Sequence, residues 1–142
     1  MPPSSPADGP VLGVPGLRHW AVVGDVLNAR KPAFSVCSRL EDCGRKVYRV
    51  SPYIRETTNE CYKTFDELVV DNDNKNVKID AVNLVVSPRI GVTILERMAK
   101  EGIKYVFIQP GADGGDVLAR ASELGLTVQR GCVLVTSLPE LK

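Results

Sequence analysis

The chain has 142 residues, 44% of them hydrophobic and 25% charged, with a formal net charge of +1. That length holds one comfortable domain, and the charge balance excludes nucleic acid or an anionic membrane surface as a main electrostatic partner. No apolar run approaches the roughly 20 residues of a membrane span. No charged segment followed by an apolar one marks a secretory leader, so the expected setting is cytoplasmic.

Residues 1–17 hold half of the ten prolines together with Ser, Asp and Gly, and are expected to form a flexible tail that can fold over a domain of residues 18–142. The first strand is expected from His19 to Val23, where Trp20-Ala21-Val22-Val23 is a continuous apolar run suited to a parallel strand covered on both faces. Gly24-Asp25 breaks it. A polar turn with Asn28, Arg30 and Lys31 then leads into a helix that opens at Pro32, carries Val36, Leu40 and Cys43 on one face and stops at Gly44.

A second strand, Lys46 to Val50, ends at Ser51-Pro52. After a polar loop, Thr64 with Glu67 three residues later forms a capping box, predicting a short helix over Phe65, Leu68 and Val69. Asp71 to Asn76 is read as a solvated polar loop. It lacks the glycine and the terminal glutamate of a calcium-binding loop. Strand three, Ala81 to Val86, ends at Ser87-Pro88, and a helix follows from Arg89 to Glu101. Strand four, Tyr105 to Gln109, ends at Pro110-Gly111, and a helix follows from Gly114 to Leu124. Strand five, Leu126 to Gln129, precedes Cys132 and a last apolar run, Val133-Leu134-Val135.

Strands alternating with helices predict an α/β fold: a Rossmann-like, doubly wound parallel sheet of about five strands in three layers. Ligands of such sheets bind beyond the carboxyl ends of the strands, near the point where strand order reverses. The strand-one turn is the natural anion site. The first N–H groups of its helix lack intrahelical partners, the helix dipole is positive there, and Arg30 and Lys31 add charge.

The dinucleotide fingerprint needs three glycines and an acidic residue ending strand two. This turn has Gly24 alone and strand two ends in Val50-Ser51-Pro52, which disfavours ordinary NAD. The phosphate-loop pattern is also absent. Cys37, Cys43, Cys61 and Cys132 form no C-x-x-C pair, and His19 is the only histidine, which disfavours a zinc site and leaves reduced thiols as the expected state.

The order and spacing of several short motifs resemble the stand-alone CoA-binding domain family, which is similar in fold to the N-terminal domain of the succinyl-CoA synthetase alpha subunit. The motifs are Val22-Val23-Gly24-Asp25, Asn28 to Ser35 in "NARKPAFS", "YRVSP" ending at Pro52, "LVVSP" ending at Pro88, "FIQPGA" ending at Ala112, and Cys132. The resemblance spans about His19 to Thr136 and implies coenzyme A or a short acyl-CoA as ligand.

It places Gly24 and Asp25 at the diphosphate turn, with Asn28, Arg30, Lys31 and Ser35 near the phosphates. Val50, Ser51 and Pro52 would border the adenine. Ser87, Pro88 and Ile90 would line the path of the pantetheine arm, and Gln109, Pro110 and Gly111 its far end. Two departures stand out: a Pro-rich tail where relatives begin with a helix, and Arg130-Gly131-Cys132 where Asp-Arg-Cys is common.

No nucleophile–base pair is visible, so binding without chemistry is the first expectation, with no nucleic acid or membrane partner and room for a protein partner. The alternatives are an NADP-dependent oxidoreductase or redox protein, with Arg49 or Arg55 on the extra phosphate, and a ligand-free protein-interaction module. Cys132 is read as a small buried hydrophobe, or as a thiol near that of CoA.

Overall fold

The computed structural model describes residues 9–134. Five strands, β1 (His19–Gly24), β2 (Lys46–Val50), β3 (Ala81–Val85), β4 (Tyr105–Ile108) and β5 (Thr127–Arg130), alternate with four helices, α1 (Pro32–Asp42), α2 (Phe65–Asn74), α3 (Pro88–Lys100) and α4 (Gly115–Glu123). All pairings are parallel and the strand order is β2-β1-β3-β4-β5. The predicted α/β, Rossmann-like architecture is therefore present, with element ends within one or two residues of expectation except in α2.

The chain winds one way from β1 to β2, then crosses back over β1 to lay down β3 and the strands beyond it. Right-handed crossovers put α1 on one face and the later helices on the other. Phe65, Leu68 and Val69 of α2, Ile94, Leu95 and Met98 of α3, and Val117 and Ala121 of α4 pack on one side with Val82, Leu84, Val106 and Ile108. Ala33, Val36, Cys37 and Leu40 of α1 pack on the other with Trp20, Val22, Ala81 and Phe107. Burial on both faces is why β1 and β3 are apolar at nearly every position.

Among the described residues only α1 of the helices covers that second face, so its remainder needs another cover. Val11, Leu12 and Leu17 from the N-terminal segment and Val133 beyond β5 supply it, all buried. Two carboxamides pin this cover from below. Gln129 of β5 accepts from the N–H groups of Val11 and Leu12 at 3.0 and 2.8 Å, and Gln109 accepts from that of Val133 at 2.9 Å. Thus the part of the Pro-rich stretch from Gly9 onward lies on the domain, while Val135 and the residues after it fall outside the described range, as do residues 1–8.

The polar run Asp71 to Asn76 corrects a sequence expectation: it is not a solvated loop, because α2 continues through Asn74. Intrinsic propensity is poor there, but tertiary partners outweigh it. Asn72 is buried, the Tyr62 hydroxyl donates to Asp71, and Lys75 pairs with Asp71 one turn on at 2.9 Å. The start of α2 is as predicted, with Thr64 Oγ1 accepting from Glu67 N at 3.1 Å. Gly44 and Gly102 follow α1 and α3 at φ 90° and 80°, the left-handed conformation that ends a helix without side-chain strain.

Candidate functional site

Parallel pairing brings Gly24, Val50, Val85, Ile108 and Arg130 to one edge of the sheet. Strand order reverses between β1 and β3, where Gly24 is registered against Val85. That is the switch point of this topology, the usual place for a ligand crevice.

Two cavities flank it. One, of about 360 Å³, is lined by Asp25, Lys31, Pro32, Ala33, Tyr53 and Val85. The other, of about 230 Å³, lies on the α2–α3 side and includes Val23, Val50, Pro52, Lys63, Thr64 and Ile90.

The β1–α1 turn is built for close approach. A Cβ on Gly24 would stand 2.7 Å from the carbonyl oxygen of Val85 and 3.1 Å from the Cβ of Ala33, so packing of strand on strand and strand on helix demands glycine here. Asn28 shapes the turn, accepting from Arg30 N at 3.0 Å and donating to Asp25 at 3.4 Å.

The helix behind the turn has Lys31 at its N-cap, Pro32 in its first turn, no side-chain cap and no acidic residue in that turn. Arg30 and Lys31 are both exposed. By contrast, α2 satisfies its own N-terminus with Thr64 and carries Asp66 and Glu67 in its first turn. The α1 terminus is thus left positive and facing a cavity, which is what an anion needs.

Of the residues expected at the site, Asp25 and Lys31 share the first cavity, and Val50, Pro52 and Ile90 share the second. Gly24 is buried between them. Asn28 and Arg30 are exposed on the turn, and Ser35 is half-buried on α1. Ser51 is buried and spends its Oγ on Tyr53 N at 3.2 Å. Ser87 is exposed as the N-cap of α3. Pro88 lies against Gly114, where a Cβ would come within 2.8 Å of its ring.

Gln109 is buried with its Oε1 on Val133 N, on the side of the sheet away from α3, and Pro110 and Gly111 are exposed beyond it. Neither Gln109, Pro110 nor Gly111 lines the two cavities.

Sequence reasoning missed Tyr53, Lys63, Ala33 and Val85 as walls. Tyr53 carried one signal, an aromatic directly after the strand-ending Ser51-Pro52. Lys63 carried none: the bridge between Val50 and Tyr62 brings it back to the edge.

Other reactive groups lie elsewhere or are unreactive. Burial pushes the Cys37 thiol up to about 12 and raises that of Cys61, which makes both poor nucleophiles. Cys132 is half-buried beyond β5. His19 begins β1 at the opposite end from the crevice and bonds the Tyr48 hydroxyl through Nδ1 at 2.8 Å. Among the described residues, no group of three or more His, Cys, Asp or Glu could hold a metal ion, and no helix is long and apolar enough to cross a membrane.

Solved structures share this architecture. Prb, a protein redesigned for binding, is 26% identical with a TM-score of 0.68, covering 84% of this chain and 80% of its own. A hypothetical protein from Pyrococcus horikoshii is 26% identical with a TM-score of 0.67, covering 82% and 78%. A conserved hypothetical protein from Pyrococcus furiosus is 26% identical with a TM-score of 0.63, covering 80% and 92%. No curated protein matches the chain. The sequence profile of the CoA binding domain matches residues 18–137, and with a profile running from the start of the sheet past its last strand, the chain belongs to the CoA binding domain family.

Proposed function

We propose that this protein binds coenzyme A, or a short acyl-CoA, across the carboxyl edge of its sheet and carries out no chemistry of its own. The diphosphate rests on the turn from Gly24 and Asp25 through Asn28, Arg30 and Lys31, with Ser35 behind it. The adenine lies by Val50, Ser51 and Pro52. The pantetheine arm runs past Ser87, Pro88 and Ile90 toward Gln109, Pro110 and Gly111. Residues 18–142 form the binding domain, and residues 1–17 are a tail whose Val11, Leu12 and Leu17 fold over it. Cys37, Cys43 and Cys61 as free thiols fit a reducing compartment such as the cytoplasm.

The observation that carries this reading is the α1 terminus: uncapped, free of acidic residues in its first turn, bearing Arg30 and Lys31, and open to a cavity of about 360 Å³. The NADP alternative loses one of its two candidate cations, because Arg49 donates to both carboxylate oxygens of Glu41 at 2.8 and 3.2 Å.

Calorimetric titration with CoA, acetyl-CoA and NADPH tests the proposal. CoA is expected to saturate one site per chain and NADPH to give no heat. Lys31→Ala should weaken CoA about five- to tenfold, on the scale of one solvent-screened charge-assisted phosphate contact, and the loss should shrink as salt is raised. No binding of CoA, or tighter binding of NADPH, would overturn it.

A further inference from the structure

Tyr53 is 60% exposed, more than Val70, Leu27, Phe34 or Leu134, the other large apolar side chains open to solvent among the described residues. An aromatic ring left this open has area to give to a partner. Its backbone is nevertheless fixed. Ser51, buried beneath it, accepts from Tyr53 N at 3.2 Å and donates its own N–H to the Tyr62 carbonyl at 2.8 Å, so the position of Tyr53 is tied to the β2 edge.

Tyr53 lines the cavity that the α1 terminus faces, whose other walls are Pro32, Ala33 and Val85, with Lys31 and Asp25 as its charged members. One aromatic wall, aliphatic walls and a cation make a slot for a flat, weakly polar ring that carries phosphate. A phosphate alone has no use for the aromatic wall, and a flexible amide arm has no plane to set against it.

We infer that Tyr53 is the platform on which the adenine base of the ligand stacks, making the protein a reader of the nucleotide half of CoA. This rests on the CoA reading given above and refines it at one point: the base moves from the Val50 and Pro52 side of the β2 end to the Tyr53 side, in the cavity beside Lys31, and selectivity falls to one side chain. Base–aromatic stacking tolerates Phe or Trp in place of Tyr, since each presents a π face.

The test measures dissociation constants for CoA and for phosphopantetheine, which lacks the base, with the wild type, Tyr53→Ala and Tyr53→Phe. Tyr53→Ala should weaken CoA about tenfold and leave phosphopantetheine within about twofold, while Tyr53→Phe keeps CoA binding. A variant at so exposed a position should fold normally.

Tyr53→Trp adds an independent readout. The single native tryptophan, Trp20, is buried, so quenching on addition of CoA but not phosphopantetheine would report a base on the new indole. If Tyr53→Ala weakens both ligands equally, or neither, the stacking assignment is wrong while CoA binding stands. If the wild type binds no CoA, both readings fall.

Discussion

Trp20→Ala should cost the fold about 3–5 kcal/mol, the range for truncating a buried large aromatic. Set against total stabilities of about 5–15 kcal/mol, that is a large share, and the urea midpoint should fall by about 1.5–3 M. Trp20 is buried on the face that α1 covers only in part, and its Nε1 donates to the Leu17 carbonyl at 2.8 Å. The side chain therefore joins the sheet to the segment laid over it. Trp20→Phe keeps most of the apolar area and loses that hydrogen bond, so its cost should be nearer 1–2 kcal/mol. Equal and small losses in both variants would contradict the packing of residues 11–17 over β1.

Gly24→Ala should be the most damaging small substitution at the crevice, at about 1–3 kcal/mol. The added methyl meets backbone, the Val85 carbonyl at 2.7 Å, and backbone cannot step aside as a flexible side chain can. Relief requires β1 and β3 to part at the switch point, which moves Val85 and Ala33, both walls of the cavity beside Lys31. CoA affinity should fall along with the melting temperature.

Gly91→Ala is the control. Its methyl would sit 3.5 Å from Leu84 and Val117 side-chain atoms, an ordinary contact inside α3, so it should be neutral or stabilise by about 0.5–1 kcal/mol through better helix propensity. Thermal melts of the two proteins that differ by less than 1 kcal/mol would refute the steric account.

Much of this fold was legible in the sequence because its strands are buried on both faces and its helices carry their own punctuation. Trp20 to Val23 reads as a continuous apolar run for that reason, and Ala81 to Val85 as one broken only by Asn83. Thr64 with Glu67 marked one helix start, and Gly44 and Gly102 marked two stops. The reading failed where long-range contacts outweigh local preference. Asp-Asn-Asp-Asn is a poor helix former, and nothing nearby in sequence announced that Asn72 would be buried or that Tyr62 would bond Asp71.

Val11 and Leu12 likewise sit in a stretch with the composition of a tail, and the partner that holds them, Gln129, is 118 and 117 residues away. Strand order has no local signature at all, so neither the opposition of Gly24 to Val85 nor the two separate cavities could be foreseen. For the same reason the motif residues divide. Asp25 and Lys31 meet Tyr53 on one side of the β1 tip, Pro52 and Ile90 meet Lys63 on the other, and Gln109 holds the cover of the opposite face.

The central claim is that CoA lies on the carboxyl edge with its phosphates at the α1 terminus. The most direct measurement is an amide-resolved NMR titration of the ¹⁵N-labelled protein with CoA. The expected result is that shifts concentrate in Gly24 through Ala33, in Ser51 and Tyr53, and in Val85 through Ile90, with His19 and Lys46 at the far end of the sheet unchanged. Shifts confined instead to the cavity between Thr57 and Lys75 on the outer side of α2, or no shifts at all, would contradict it.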